Sequence, residues 1–267
     1  MPGVFGFPDW LRKGVAVTVN TGAAVDTMPP EYLYDPQPGL RARFVPASGS
    51  LAITFDFGVS RAVGVVVLVN TTMSGAETVR CYLNDSDPTF TAGNLLNTVR
   101  TPVGADRTRG GCVVLIPADI TARYMRLLIA DIASEVLDIG SVLAMPTLRL
   151  QSGQDYGWRE GRFYAGLTDA NPFTGAEFRA DGLVSLRQMD FTLPTIFAAE
   201  FAGTLRALLD DVRPSDDVAW IPDDGLSQAE LNRRVIVGGL VRAGEEFGIT
   251  RVSLRTARAQ FTIRERA

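Results

Sequence analysis

Histidine is absent from the 267-residue sequence. Without imidazole there is no Ser-His-Asp or Cys-His catalysis and no histidine-bearing zinc site. Cysteine is nearly absent too, and Cys81 and Cys112 form neither a disulfide framework nor a metal motif. Both sit in apolar runs (VRCYL and GGCVVLIP), where a thiol behaves as a small core hydrophobe, so both are expected to be reduced. Lysine occurs once, as Lys13, so cationic charge is almost all arginine, for which compositional bias is a simpler reading than a demand for guanidinium forks. A formal net charge of −4 supplies no basic stripe to neutralise phosphates, and a nucleic-acid role is not expected. The longest apolar stretch, within Ala62–Asn70, is far short of the ~20 residues that span a bilayer. Nor is there a glycine-rich phosphate loop, and the first residues, MPGVFGFPDWLRKG, lack a basic segment followed by a long apolar one. Synthesis in a cytoplasm without an export signal is the expectation.

What is present is globular. With 46% apolar and 21% charged residues the chain can bury cores without staples, and its length suits two units of about 100–200 residues each. The expected units are residues 1–150 and 151–267.

From Val15 to Leu150 short β-rich runs alternate with Gly, Pro, Asn and Asp, and no helical period stands out. The expected strands are Val15–Asn20, Leu40–Val45, Leu51–Phe57, Val63–Asn70, Thr78–Asn84, Gly111–Ile116, Tyr124–Ala130 and Leu137–Leu143. Such a series predicts an antiparallel sandwich. In Leu51–Phe57 large apolar residues alternate with small or polar ones, as for a strand with one face on a core. Val63–Val69 is apolar on both faces, which predicts a central strand. Asn94–Arg109, rich in Thr, Gly and Arg, reads as a surface loop.

At Met145–Gly161 the composition turns polar and glycine-rich, marking the junction, with Trp158 expected to wedge the units together. Strand-like sequence resumes at Gly182–Leu193. A helix is then expected from Pro194-Thr195, with Phe197, Phe201, Leu205, Leu208 and Leu209 as its apolar stripe. Val218–Pro222 reads as a buried strand and Asp223–Arg233 as a polar excursion. Arg234–Arg242, Thr250–Arg255 and Ala259–Arg264 form an expected closing antiparallel set, with Val252/Leu254 and Phe261/Ile263 inward. The second unit is therefore expected to be α+β, with one main helix on an antiparallel sheet.

Acid pairs are the remaining candidates for chemistry. Asp210/Asp211, Asp216/Asp217 and Asp223/Asp224 lie beside Pro and Gly, where aspartate caps and turns the backbone, and that reading outweighs a paired-carboxylate hydrolase. Asn84-Asp85-Ser86-Asp87 has the oxygen density of a calcium loop but not its glycine or terminal glutamate, so a hairpin turn is expected. Trp10, Tyr32, Tyr34, Phe90, Tyr156, Trp158 and Tyr164 could form a sugar-stacking platform, though packing is the commoner fate of aromatics. No catalytic, cofactor-binding or metal-binding residue is assigned.

An ordered series of segments resembles the galactose-binding-like, or discoidin-type, domains of phage tail proteins. Pro30-Glu31-Tyr32-Leu33-Tyr34-Asp35 with Leu40–Phe44 is similar to that family's opening ligand loop and strand. LAITFDFG at 51–58, the central strand Ala62–Asn70 and ETVRCYLND at 77–85 follow in order. ARYMRLLIAD at 122–131 and Leu137-Asp138-Ile139-Gly140 close the series, which covers roughly residues 20–150. The clamping cysteines of extracellular discoidin domains have no counterpart, and no sugar-binding residue carries over. The second half is loosely similar to ring-forming domains of tail tube and distal tail proteins.

The resemblance implies a mainly β protein: a jelly-roll-like, galactose-binding-like sandwich followed by an α+β assembly domain. It also implies a non-enzymatic structural component of a bacteriophage tail, of distal-tail or baseplate type, located in the virion. Its partners would be further copies in a ring-like homo-oligomer and other tail proteins. The alternative is a carbohydrate-binding adaptor that recognises a host-surface glycan. No cofactor is expected.

Overall fold

The computed structural model describes residues 3–35, 40–104, 110–151, 158–164, 168–170, 177–179, 185–197, 205–213, 216–241, 249–251 and 256–265. The first part of the chain supplies β1 (Val4–Gly6), β2 (Ala16–Thr21), β3 (Ala23–Ala24), β4 (Ala42–Val45), β5 (Leu51–Thr71), β6 (Thr78–Asn84), β7 (Leu96–Arg100), β8 (Gly110–Ala130), β9 (Leu137–Met145) and β10 (Thr147–Arg149). Then come β11 (Arg159–Tyr164), β12 (Thr168–Ala170), β13 (Glu177–Arg179), β14 (Ser185–Phe197), α1 (Arg206–Asp211), β15 (Val218–Ile221), α2 (Gln228–Arg234), β16 (Ile236–Val241), β17 (Ile249–Arg251) and β18 (Thr256–Arg264).

The architecture is mainly β and antiparallel, as expected, with most strands in two large sheets. One sheet runs β3-β4-β9-β5-β8-β6-β7, with β2 also on β5. The expected pairs Leu51–Phe57/Val63–Asn70 and Gly111–Ile116/Tyr124–Ala130 are each one continuous 21-residue strand, β5 and β8. Their ladder slips between Asp56 and Arg61, where Gly58 takes φ 74° and donates its N–H to Asp56 Oδ1. A bulge of this kind bends a strand without ending it. Strand β5 therefore serves both layers: Ala52–Asp56 pairs with β2, and Val65–Thr71 pairs with β9. Between the layers lies the first core, with Phe44, Ile53, Phe55, Val66, Leu68, Leu83 and Leu127 buried.

The double-sided apolar character of Val63–Val69 now has its cause. Val66 and Leu68 point into the sandwich core, whereas Val65 and Val67 point outward into another core with Val4, Val113, Leu143, Ala219, Ile221, Leu231 and Val235. The sandwich and the second unit thus share a buried seam. Two short strands from the first 150 residues also enter the second sheet, whose order is β10-β1-β15-β16-β18-β14-β11, with β17 on β18. Its own core stacks Phe5, Phe191, Trp220 and Phe261.

Several sequence expectations need correction. Pro194 does not start a helix: it lies inside β14, at a register shift between Leu193 and Ile196 that accommodates a residue without an N–H. Residues 198–204, including Phe201, lie outside the described residues, and the helix that is described spans Arg206–Asp211. The supposed excursion 223–233 contains α2, started by a capping box in which Ser227 and Glu230 bond reciprocally. The supposed loop 94–109 contains β7, paired with β6. Trp158 is no wedge, being 37% exposed. The closing set is antiparallel, with Phe261 and Ile263 buried, while Val252 and Leu254 lie outside the described residues.

Helix α2 also seals the outer edge of β8. Asn232 Oδ1 accepts the Val113 N–H at 2.9 Å, Gln228 Nε2 donates to Val113 O at 2.7 Å, and Asn232 Nδ2 donates to Thr101 O at 2.8 Å. Side-chain amides here do the work of a neighbouring strand. Replacing Asn232 with alanine orphans the Val113 N–H and is expected to lower stability by about 1–3 kcal/mol. Urea unfolding checks this, and a loss indistinguishable from zero would show that the edge needs no such seal.

Candidate ligand-binding face

The layer built from β2, the first half of β5, the second half of β8, β6 and β7 turns one face to solvent. Strand alternation decides what it shows. In β6, Val79, Cys81 and Leu83 are fully buried, which puts Arg80 and Tyr82 outside. In β8, Met125, Leu127 and Ile129 are buried, which puts Tyr124, Arg126 and Leu128 outside. Register then aligns Thr18, Thr54, Arg126, Tyr82 and Asn97 in one row across the strands.

That row is braced. Thr54 Oγ1 donates to Asn20 Oδ1 at 2.5 Å and accepts from Arg126 Nε at 3.0 Å. Arg126 also donates to Thr89 O at 2.9 Å and Pro88 O at 3.2 Å, and its guanidinium lies 4.6 Å above the Phe90 ring. Desolvation in this position lowers its pKa. Phe90 is 6.0 Å from Tyr82, centroid to centroid. The loop that carries Phe90 is tied internally: Asn84 Oδ1 accepts the N–H groups of Ser86 and Asp87, and Asp87 accepts those of Thr89, Thr91 and Ala92. Those bonds, first the Thr89 hydroxyl and N–H, hold the Asp87 carboxyl far below the usual carboxylate range. The segment Asn84–Asp87 is thus the expected turn. At the end of the face Arg123 lies 5.0 Å over Tyr124 and grips Asp56 with two bonds of 2.9 and 3.0 Å, which lowers the Asp56 pKa.

The outcome is two partly exposed tyrosine rings, Tyr82 and Tyr124, on a rigid sheet with exposed Asn20, Asn97 and Arg80 as hydrogen-bonding groups. Ring faces can cover apolar CH groups, and the amides and guanidinium can bond hydroxyls. None of these residues forms a pair of acids poised for proton transfer.

The aromatics singled out from sequence do not converge. Trp10 donates Nε1–H to Ala62 O at 2.7 Å beneath Arg61 and Lys13, while Tyr32 and Tyr34 pack on the first core and Phe90 is buried. Trp158 is exposed elsewhere, Tyr156 lies outside the described residues, and so does the Tyr164 side chain. Pro30–Tyr34, the supposed ligand loop, is a 3-10 turn with Leu33 buried and its carbonyl accepting from Ser141 Oγ. Tyr82 and Tyr124 were overlooked because they sit on strands, yet the alternation in TVRCYLN and YMRLLIA carries the signal.

Five of the six paired aspartates have partners within the chain. Asp210 pairs with Arg206, Asp217 with Arg12 and Asp224 with Arg149, while Asp216 and Asp223 accept the N–H groups of Arg213 and Gly225. Burial pushes the thiols of Cys81 and Cys112 up to about 12, and proximity to Cys112 adds to the shift at Cys81. Among the described residues no group of three or more acidic or cysteine side chains is arranged to hold a metal, and no helix is long and apolar enough to cross a membrane.

No family model and no curated protein matches the sequence. Among solved structures, a Ruminococcus gnavus GH29 fucosidase in complex with fucose aligns over 54% of this chain and 28% of its own, with 14% identity and a TM-score of 0.41. The chain therefore spans less than a third of that enzyme's length. The Clostridium perfringens module CpGH89CBM32-6 aligns over 52% of this chain and 99% of its own, with 13% identity and a TM-score of 0.38. Chitosan-binding module 1 from a Paenibacillus sp. IK-5 chitosanase/glucanase aligns over 52% and 98%, with 15% identity and a TM-score of 0.40.

Proposed function

We propose that this protein is a non-catalytic carbohydrate-binding adaptor, which holds a glycan on the solvent face of its sandwich and docks through its second unit. The observation that carries the reading is the braced row Thr54–Arg126–Tyr82–Asn97 with Tyr124 beside it. Its hydrogen bonds hold the Arg126 guanidinium and the Phe90 loop beside Tyr82 before any ligand arrives, which limits the ordering entropy that opposes binding. Glycan-array screening followed by calorimetry on wild type, Tyr82→Ala and Tyr124→Ala tests it. Each variant is expected to lose about tenfold or more in affinity, equivalent to ~1.4 kcal/mol, while its melting temperature stays near that of wild type. A wild type that binds no glycan, or tyrosine variants that bind as tightly as wild type, would sink the proposal.

A second reading makes the chain a structural component of a bacteriophage tail that assembles as a ring. It is favoured by the second sheet, where β11 is one of the two terminal strands among the described residues and Trp158 is exposed just before its start. Light scattering that finds only a monomer at high concentration, together with absence from purified particles, would remove it.

A further inference from the structure

The connection from β1 in the second sheet to β2 in the sandwich carries a buried acid that the proposed ligand face does not use. Asp9, with a side chain only 4% exposed, accepts the N–H groups of Leu11 at 3.2 Å and of Ala144 in β9 at 3.0 Å, both on Oδ1. Its Oδ2 has no hydrogen-bond partner, and Arg12 Nε stands 3.8 Å away. The other end of Arg12, Nη2, pairs with Asp217 Oδ2, immediately before β15. One guanidinium therefore stands between two aspartate side chains from different parts of the chain. Around them a cleft of about 400 Å3 is also lined by Lys13, Asp211, Arg213 and Asp216.

We propose that Asp9, Arg12 and Asp217 form a proton-controlled clasp that holds the connection 7–13 against the segment before β15, closed while Asp9 is neutral and released as Asp9 ionises. Burial favours the neutral acid most strongly, and the Asp217 charge adds to it. The N–H groups of Ala144 and Leu11 and the Arg12 charge oppose it, leaving the carboxyl at about 7. Opening the connection returns Asp9 to water, where a carboxyl titrates near 3.8. Between those values the open form has lost its proton and the closed form has kept it, so rising pH favours opening, by about fiftyfold between pH 5 and pH 7. Above about 7 both forms are ionised and the effect levels off. An ionised Asp9 also competes with Asp217 for Arg12, which weakens the tie across the cleft.

Hydrogen exchange of the full chain, read on peptides spanning 7–13 and corrected for the intrinsic pH dependence of exchange, tests the clasp. Wild-type opening is expected to climb steeply from pH 5 to pH 7 and then flatten. Asp9→Asn keeps an amide oxygen for Leu11 and Ala144 but cannot ionise, so its profile is expected to be flat. Asp217→Asn is expected to open more at every pH. A flat wild type, or an Asp9→Asn profile that climbs as the wild type does, overturns the proposal. Should Asp9→Asn fail to fold, the carboxyl 13C titration of wild-type Asp9 decides: a midpoint near neutrality supports the clasp, and one near that of an exposed aspartate refutes it.

Discussion

Trp220→Ala is expected to lower stability by about 3–5 kcal/mol, among the largest losses a single truncation produces. Trp220 is fully buried in β15, stacked at 4.4 Å and 8° on Phe191 and 4.5 Å from Phe5. Phe5 belongs to β1 and is the register partner of Trp220, so the indole anchors a strand that comes from the far end of the chain. Its ring also fills the space beside Gly3, where an added Cβ would fall 2.1 Å from it. Removing the indole leaves a cavity under two strands at once, and neither can collapse into it without breaking the β1–β15 ladder. Urea unfolding should show a lower midpoint with an unchanged slope. A loss below about 1 kcal/mol would mean that the aromatic stack is not what holds the second sheet together.

Much of the sandwich was legible because strand burial leaves a period of two. Leu51–Phe57, Thr78–Asn84 and Tyr124–Ala130 all alternate, and all pair as antiparallel strands. The expected gap between Phe57 and Val63 is instead a bulge within one strand, and only the partner strand distinguishes the two. The helix expected from Pro194 failed for a related reason. Apolar spacing from Phe197 onward suits a helix, and Leu208 and Leu209 do lie in α1, yet β14 runs on through Phe197, which pairs with Thr256 of β18. Pairing over long sequence separation overrides local propensity. Helix α2 went unseen although Ser227 and Glu230 stand at capping-box spacing, because its polar composition hides a single buried anchor, Leu231.

The candidate face was half legible. That Tyr82 and Tyr124 point outward follows from their neighbours, but that they share a face with Asn97 and Thr54 depends on register, which no single strand encodes. The clasp was less legible still. Asp9 is an ordinary acid in sequence, and its character comes from Ala144 and Asp217, at distances along the chain that local pattern cannot bridge. The expectation that the acid pairs turn the backbone holds at Asp216 and Asp223, which bond to backbone within three residues, whereas Asp217 and Asp224 reach Arg12 and Arg149 far along the chain.

The seam between the two units gives the second large prediction, Val67→Asp. Val67 is 1% exposed and faces Ala219, Ile221, Leu231 and Val235, while its neighbours Val66 and Leu68 face the sandwich core. An aspartate at 67 would place an uncompensated charge in the seam and leave the first core chemically intact. The expected cost is about 3–5 kcal/mol, the range measured when a buried charge loses its partner. Because the damage is confined to the contact between units, heat unfolding should separate into two transitions, the sandwich melting after the second sheet has come away. Val59→Asp, on the same strand but 53% exposed, is the control and is expected to change stability by less than about 0.5 kcal/mol. If Val67→Asp instead melts in one step at the wild-type temperature, the outward valines of β5 do not bury against the second unit, and the two halves of the chain are independent bodies.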